Sequence, residues 1–370
     1  MSSSSSGALQ TKNHIQSVKI TGYSRPYSDD TFFELADQDL DIHVYSLAST
    51  LEEDHVRETL DENDIMNHFT VSTIPSMNID GLWESLIYTE RIPDTLLRII
   101  IRAMRILREP DLNLNNIFWY NLVLLYGPPG SGKTSLAQAL AQKLSIRLGK
   151  VYAATRLIEV RSHTLLSRWF GESGKLVGKL FEAIQEMATE DSVLTVLMID
   201  EVETLAGSRI KAATANECGD AMRATNELLQ GLDKLRKRPN VVFICTTNMM
   251  ESLDEAFVDR CGIKQYIGTP NHECAYEIFR SVTNELINSR LMMYIPNIQW
   301  SIANLLDHPN SAPLRLWRIA QKAGGLSGRS LRRLPFLALT KYTIDEPCKL
   351  HDFLGALEKV VENEAPVATQ

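Results

Sequence analysis

Hydrophobic residues follow two alternating patterns in the chain from about residue 121 onward. Short, continuous apolar runs occupy residues 122–125, 157–160, 194–199 and 241–245. Longer stretches between them carry apolar residues at helical spacing, as in Leu136, Leu140, Leu144 and Leu148. Such short runs are typical of strands buried on both faces, and their alternation with helices predicts a parallel sheet flanked by helices. We therefore predict an α/β domain, followed from residue 271 by a small helical domain.

The first part of the chain is predicted to contain a tail, a separate domain and a linker. Residues 1–14 are rich in serine and are predicted to be disordered. Residues 15–80 are assigned to a separate N-terminal α/β domain, which includes the apolar segment Phe69-Thr70-Val71. An amphipathic helix is predicted from Pro93 to Leu107. The complete predicted division is a tail at 1–14, an N-terminal domain at 15–80, a linker and α/β domain at 81–270 and a helical domain at 271–370.

The predicted N-terminal domain is strongly acidic. Between Asp29 and Met66, Arg57 is the only lysine or arginine among many aspartates and glutamates. A solvated acidic face and a surface that docks a partner protein both explain this composition. Either interpretation disfavours contact between this domain and the phosphate backbone of nucleic acids.

Composition narrows the class of protein further. The 370 residues carry a formal net charge of -8, with an isoelectric point near 5.6, whereas nucleic-acid-binding domains typically carry a basic patch. The five cysteines form no CxxC pair, which favours reduced thiols over a zinc site or disulfides. The N-terminus lacks the apolar segment of a signal peptide, and no apolar run approaches the ~18 residues that span a bilayer. We therefore expect a soluble, intracellular protein with no direct contact to membranes or nucleic acids.

A glycine-rich motif of the form GxxxxGK[ST] lies between the first predicted strand and the helix that follows it. The motif consists of Gly127, Pro128, Pro129, Gly130, Ser131, Gly132, Lys133 and Thr134. Its glycines allow backbone N–H groups to surround a phosphate, and the positive end of the following helix favours the same anion. Lys133 offers a cation to the β- and γ-phosphates, and the hydroxyl of Thr134 is a suitable Mg²⁺ ligand. The motif predicts a site for ATP and Mg²⁺.

Polar residues that follow two buried strands supply the groups needed for hydrolysis. Asp200 and Glu201 come directly after the run 194–199, and burying two carboxylates without a task is costly. Asp200 is predicted to hold Mg²⁺, and Glu201 is predicted to orient and polarise the attacking water as a general base. Asn248 follows the run 241–245 after two threonines, and its amide is suited to holding the same water against the γ-phosphate.

These motifs together resemble the AAA+ superfamily of ATPases. Within residues 162–175, Trp169, Phe170 and Gly171 resemble the aromatic-x-Gly pore loop of ring-forming protein remodellers. An aromatic side chain in such a loop grips a passing polypeptide through contact area, whatever its sequence. The alternative is that Trp169 and Phe170 are core residues, but the polar residues on both sides favour an exposed loop.

Further segments narrow the resemblance to one family. Residues 256–268 and 325–337, together with Leu86-Ile87-Tyr88 and the candidate pore loop, resemble the pachytene checkpoint protein 2 family, also called thyroid receptor-interacting remodellers. The resemblance covers about residues 80–340. It implies an AAA+ sheet domain with a helical lid.

The resemblance also implies roles for three residues outside the motifs above. Arg260 is expected to be an arginine finger that reaches the nucleotide of a neighbouring subunit, although this chain has Asp259-Arg260-Cys261-Gly262 where many relatives have two arginines in a Pro-Gly context. Arg329 is expected to be the second sensor, which brings the lid onto the γ-phosphate. Both suit a developing phosphoryl charge, and a surface salt bridge is the alternative role for each. Ile87 is expected to contact adenine.

The function implied by the resemblance is the remodelling of HORMA-domain proteins by a homo-hexamer. Members of the family pull on the N-terminus of a HORMA-domain protein and convert its closed form to the open form. The N-terminal domain is expected to dock the client or a HORMA-like adaptor. These activities imply roles in remodelling of the meiotic chromosome axis and in disassembly of the spindle-checkpoint complex, and hence a location in the nucleus and the cytoplasm.

Three other functions share parts of this motif set. A microtubule-severing enzyme of the katanin kind would grip acidic tubulin tails with strongly basic pore elements, whereas the second candidate pore segment, Ser208-Arg209-Ile210-Lys211, is only modestly basic. A nucleotide-gated scaffold with little turnover would not need the full set of hydrolytic residues. A DNA-acting member of the superfamily is disfavoured by the acidic composition.

Overall fold

The computed structural model describes residues 41–49, 68–109, 111, 119–166, 173–207, 218–236, 238–293 and 311–364. The chain divides into two compact units, Met1–Ile42 and His43–Gln370, and every helix and strand below lies in the second unit. The predicted tail at 1–14 lies outside the described residues, as does most of the N-terminal domain predicted at 15–80. None of the helices in the described part of the chain combines the length and apolar composition that a membrane span requires.

A six-stranded sheet forms the centre of the larger unit. Its strands are β1 (Phe69–Ile74), β2 (Leu122–Tyr126), β3 (Ala154–Val160), β4 (Val193–Ile199), β5 (Val241–Thr247) and β6 (Ile263–Tyr266). They lie in the order β1-β3-β4-β5-β2-β6, and every pair is parallel except β1 with β3. The predicted parallel sheet is therefore confirmed, with one antiparallel strand at its edge. Because β2, β4 and β5 are parallel, their carboxyl ends meet at one edge of the sheet.

The central strands are buried on both faces because helices cover both sides. Leu122 and Leu124 of β2 point into a core shared with the helices that follow β3 and β4, whereas Val123 and Leu125 join a second core on the opposite face. The helix after β2 contributes Leu136, Leu140 and Leu144 to that second core, each with no exposed surface. This two-sided burial explains the continuous apolar runs in the sequence.

The helices of the larger unit alternate with the strands and then form a separate group. They are α1 (Leu82–Ser85), α2 (Ile92–Ile106), α3 (Lys133–Arg147), α4 (Ser162–Leu166), α5 (Ser173–Met187), α6 (Cys218–Leu235), α7 (Glu255–Asp259), α8 (His272–Asn288), α9 (Ala312–Lys322), α10 (Gly328–Tyr342) and α11 (Leu350–Glu364). The last four surround a core of their own. Polar caps begin three of these helices, since the side chains of Asn271, Ser311 and Ser327 each accept a hydrogen bond from a backbone N–H of the first turn.

The edge strand β1 corrects one expectation from the sequence. Phe69 pairs with Val160 and Ile74 with Thr155, so this segment extends the sheet of the α/β domain. The segment Phe69-Thr70-Val71 had been grouped with the separate N-terminal domain. Its alternating burial, with Phe69 and Val71 buried and Thr70 half-buried, is typical of an edge strand, but such a pattern does not say which sheet the strand joins.

Candidate active site

The phosphate loop connects β2 to α3 at the carboxyl edge of the sheet, and its glycines are required by close contacts. Gly127 has a φ of 147°, and a Cβ there would lie 2.1 Å from the carbonyl oxygen of Ile267. Gly130 has a φ of 73°. A Cβ there would lie 2.8 Å from Oγ of Ser327, which caps α10 in the group formed by the last four helices, here called the lid. Larger residues would strain the backbone and push these neighbours away. The loop is therefore fixed between the sheet and the lid.

Lys133 is buried with its ammonium group in a ring of uncharged oxygens. Its Nζ donates to the carbonyl oxygens of Gly127 (2.9 Å) and Pro128 (2.8 Å) and to Oδ1 of Asn248 (2.7 Å). Burial lowers the pKa of Lys133, while the negative charges of Asp200 and Glu203 act in the opposite direction. An ammonium group held among neutral acceptors favours an anion such as phosphate as its counter-charge.

A second observation shows that the loop fits a phosphate group. The Oγ atom of Ser131 is buried and has no hydrogen-bond partner in the described part of the chain. Buried hydroxyl groups in native proteins are nearly always hydrogen-bonded. A phosphate oxygen in the loop would supply the missing partner, and the adjacent N-terminus of α3 would favour its charge.

Oxygen ligands suited to Mg²⁺ converge beside the loop. The Oγ1 atom of Thr134 lies 3.1 Å from both carboxylate oxygens of Asp200, and the hydroxyl of Thr246 on β5 also donates to Asp200. Hydroxyl and carboxylate oxygens are the hard ligands that Mg²⁺ prefers, and one or two protein ligands are enough when phosphates complete the shell. Thr134 and Asp200 therefore fit the ion implied by the sequence motif.

Glu201 lies at the end of β4 in a left-handed backbone conformation, with a φ of 53°. Three hydroxyl groups form hydrogen bonds with the backbone of Glu201 and of Asp200, the residue before it. The Glu201 N–H donates to Thr246 Oγ1 (3.3 Å), Thr204 Oγ1 donates to the Glu201 carbonyl (2.8 Å), and Ser162 Oγ donates to the Asp200 carbonyl (2.7 Å). A left-handed conformation is unfavourable for a glutamate unless neighbours stabilise it. The carboxylate of Glu201 is exposed and free to act on a water molecule.

Asn248 is joined to the site by a residue that the sequence analysis missed. Its side-chain oxygen accepts from Lys133, and its backbone N–H donates to Oε1 of Glu203 (3.1 Å). The other carboxylate oxygen of Glu203 is buried without a hydrogen-bond partner among the described residues. Glu203 follows Glu201 by two positions, so a third acid in the run Asp200-Glu201-Val202-Glu203 was the signal available in the sequence.

The linker before α2 also contacts the phosphate loop. The hydroxyl of Tyr88 donates to the carbonyl oxygen of Gly132 (3.3 Å), and burial raises the pKa of Tyr88. The neighbouring Ile87 is half-buried and packs against the core of the lid. Ile87 is the residue that the family resemblance assigns to adenine, whereas the contact between Tyr88 and the loop is not predicted from the sequence.

Arg329 is brought to the phosphate loop by its backbone. Its N–H donates to the carbonyl oxygen of Gly130 (3.2 Å), and its side chain is exposed in the first turn of α10. This contact joins the lid to the loop directly.

Arg260 makes its described contacts within its own chain. The guanidinium pairs with the carboxylate of Asp233 on α6 and donates to the carbonyl oxygen of Ala256. The family resemblance implies that Arg260 reaches a neighbouring subunit's nucleotide, and its partner Asp233 is not predicted from the sequence.

Trp169, Phe170 and Gly171 lie outside the described residues, as does the second candidate pore segment at 208–211.

The described part of the chain contains the free, buried thiols of Cys245, Cys261, Cys274 and Cys348.

Comparisons with known proteins agree with this geometry. The family described as "ATPase family associated with various cellular activities (AAA)" matches residues 123–269. The family described as "TRIP13-like, AAA+ ATPase lid C-terminal domain" matches residues 271–365. A curated relative from Danio rerio, "Pachytene checkpoint protein 2 homolog", is 38% identical over 365 residues, which cover 96% of this chain and 82% of the relative.

Two solved structures have a similar fold. "Structure of C. elegans PCH-2" matches with a TM-score of 0.70 and 34% identity, over 80% of this chain and 75% of that chain. "Structure of E. coli MS115-1 HORMA:CdnC:Trip13 complex" matches with a TM-score of 0.61 and 20% identity, over 83% of this chain and 98% of that chain. The second similarity concerns the fold alone.

Proposed function

The chain belongs to the pachytene checkpoint protein 2 family of AAA ATPases, and on this premise we propose that it uses ATP hydrolysis to convert HORMA-domain proteins from a closed to an open form. The observation that carries the ATPase part is the joint position of Lys133, Glu201 and Asn248 at one edge of the sheet. Support for the client comes from the family and from the E. coli complex of similar fold, which contains a HORMA protein and Trip13.

The residues of the site divide the hydrolysis step among them. Lys133 and the loop backbone bind the phosphates, while Glu201 takes the proton of the attacking water and Asn248 holds that water in line with the γ-phosphate. Thr134 and Asp200 hold Mg²⁺, which when bound supplies positive charge to the β- and γ-phosphates. Arg329 on the lid stabilises the charge that develops on the γ-phosphate. Ile87 lies where the linker meets the lid and contacts the adenine.

The proposed assembly is a homo-hexamer that threads its client through a central pore. Arg260 then acts on the ATP bound by a neighbouring subunit, and Trp169, Phe170 and Gly171 grip the N-terminal segment of the HORMA-domain protein. The acidic N-terminal region docks the client or a HORMA-like adaptor. The proposed roles are remodelling of meiotic chromosome axes in the nucleus and disassembly of the spindle-checkpoint complex in the nucleus and cytoplasm.

The test compares ATP turnover with and without the client. We expect a closed HORMA-domain protein, together with a HORMA-like adaptor, to stimulate steady-state ATPase activity. Trp169→Ala should retain the basal rate but lose both the stimulation and the conversion of the client, because a small side chain offers little contact area to a passing polypeptide. Trp169→Phe keeps an aromatic ring and should retain both.

Two outcomes would contradict the proposal. Robust turnover without any response to HORMA-domain protein would separate the ATPase from this client, and stimulation by tubulin tails would then favour a severing enzyme. Full client conversion by Trp169→Ala would remove this residue from the pore.

A further inference from the structure

Arg260 is held within its own chain by two neighbouring elements. Its Nε and Nη2 atoms donate to the carboxylate of Asp233 on α6 at 2.9 Å and 2.8 Å, in a bidentate pair. Its Nη1 atom donates to the carbonyl oxygen of Ala256 in α7 at 2.8 Å. Contacts on both sides of the planar guanidinium fix its orientation as well as its position.

Asp233 is itself held from a third element. The hydroxyl of Tyr120, immediately before β2, donates to Oδ1 of Asp233. The guanidinium of Arg236 lies over the Tyr120 ring, 5.5 Å from its centroid. The hydrogen bond to Arg260 holds the pKa of Asp233 below its ordinary value and the pKa of Arg260 above it, so both remain ionised. The carboxylate is thus held by Tyr120 as well as by Arg260, since both donate to Oδ1 of Asp233.

The pair leaves part of the guanidinium available. An arginine has five N–H donors, and the three contacts with Asp233 and Ala256 use one on each nitrogen. Tyr120, which donates to Asp233, also lies within hydrogen-bonding reach of Arg260, and 23% of the Arg260 side chain is exposed. The exposed part of a charged guanidinium is suited to the oxygens of a phosphate group.

We propose that Asp233 is a positioning residue, which holds Arg260 in the orientation in which the exposed part of its guanidinium reaches the γ-phosphate bound by a neighbouring subunit. This inference rests on that part of the proposed function in which Arg260 acts as an arginine finger. The rival explanation is an ordinary surface ion pair, and 43% of the Asp233 side chain is exposed. Such pairs contribute little to stability and have no reason to affect catalysis.

The two explanations differ in their effect on ATP turnover by the full chain. Arg260→Ala should lower kcat by about a thousandfold, as expected for an arginine finger. Asp233→Asn should lower kcat by about tenfold, because a small misplacement of a catalytic group is sufficient for such a loss. The KM for ATP and the melting temperature should not change. Asp233→Glu keeps the charge and should recover part of the rate.

A double-mutant cycle separates positioning from any independent role of Asp233. Because Asp233 acts through Arg260, Asp233→Asn should have no further effect on kcat in the Arg260→Ala background. Tyr120→Phe removes only the hydroxyl that holds Asp233 and should lower kcat by about threefold, again without a change in KM. Asp191→Asn is a matched control, since Asp191 is also exposed and pairs with an arginine, Arg238, at 3.9 Å. It should leave turnover unchanged.

Each outcome decides a different point. A wild-type rate in Asp233→Asn together with a reduced rate in Arg260→Ala would overturn the inference and leave the finger in place. A wild-type rate in Arg260→Ala would overturn both. If Asp233→Asn lowered kcat by the same factor in the wild-type and in the Arg260→Ala backgrounds, Asp233 would have a separate role and the inference would be overturned. A failure of HORMA-domain protein to stimulate these variants concerns only the client and leaves the assignment of Asp233 standing.

Discussion

The two halves of the proposed catalytic machinery, the sheet edge and the two arginines, differ in how their functional side chains are held. At the sheet edge, Lys133 has three oxygen partners and the backbone of Glu201 is held by hydroxyl groups from two elements. On the arginine side, Arg329 is exposed and joins the phosphate loop through a backbone hydrogen bond, while Arg260 is bound to Asp233 of its own chain.

This difference indicates which part of the site is complete in a single chain. The sheet edge is rigid because three parallel strands end there, so its groups are preorganised for binding and for activating water. Arg329 lies on the lid and Arg260 at the end of a short helix, and in the proposed function they act only when the lid closes or a neighbouring subunit is present. The affinity for nucleotide should therefore depend on the sheet edge, whereas the rate of hydrolysis should depend on the sheet edge and on the arginines.

The largest effect is expected at the sheet edge, from Glu201→Gln. The amide cannot accept the proton of the attacking water, so kcat should fall by about 100-fold to 10,000-fold while ATP affinity is retained. Single-turnover hydrolysis and the binding of a fluorescent ATP analogue measure the two quantities. Glu186→Gln on the exposed side of α5 is the control. Hydrolysis at the wild-type rate by Glu201→Gln would remove Glu201 from the role of base.

An intermediate effect is expected on the arginine side, from Arg329→Ala. One charge-assisted hydrogen bond to the transferring phosphate contributes about 1.5 to 3 kcal/mol, so kcat should fall by about tenfold to a hundredfold. The melting temperature should not change, because the side chain is exposed. Arg318→Ala, which alters another exposed arginine of the lid, should affect neither quantity. A large drop in melting temperature for Arg329→Ala would contradict a purely catalytic role.

The groups at the sheet edge could be predicted from the sequence because continuous apolar runs mark the strands and the functional polar residues directly follow them. Continuous apolar runs predicted β2, β4 and β5, and the polar residues that end these strands had to meet at one edge once the strands were parallel. Lys133 donates to Asn248, and Thr134, the next residue, contacts Asp200. The helix predicted from Pro93 to Leu107 is observed at Ile92–Ile106, since apolar spacing and a proline near its start define it locally.

The features that the sequence did not predict depend on contacts between distant segments. β6 has the sequence Ile263-Lys264-Gln265-Tyr266, and its residues alternate between half-buried and exposed. Both an exposed loop and an edge strand fit this sequence, and the pairing with β2 shows that the segment is a strand. Asp233 is a single acid on an amphipathic helix, and nothing nearby in the sequence connects it to Arg260. Tyr88 reaches a residue 44 positions away, a separation that periodicity does not encode.

The smallest effect is expected from Ser162→Ala, which tests whether the sheet edge is as rigid as its hydrogen bonds suggest. Ser162 is buried, and its hydroxyl holds the carbonyl of Asp200 next to the left-handed Glu201. Loss of one buried hydrogen bond should lower the free energy of unfolding by about 1 kcal/mol and the melting temperature by about 2 °C. Because Thr204 and Thr246 still hold the Glu201 backbone, kcat should fall only by about threefold.

Thermal unfolding and steady-state turnover, measured side by side, separate the two effects of this change. Ser192→Ala, an exposed serine-to-alanine change in the same domain, should alter neither quantity. If Ser162→Ala lowered kcat as far as Glu201→Gln, the strained backbone would depend on this one hydroxyl, and the sheet edge would be no better preorganised than the arginines. If it lowered stability but left kcat unchanged, Thr204 and Thr246 would be sufficient to orient the carboxylate of Glu201.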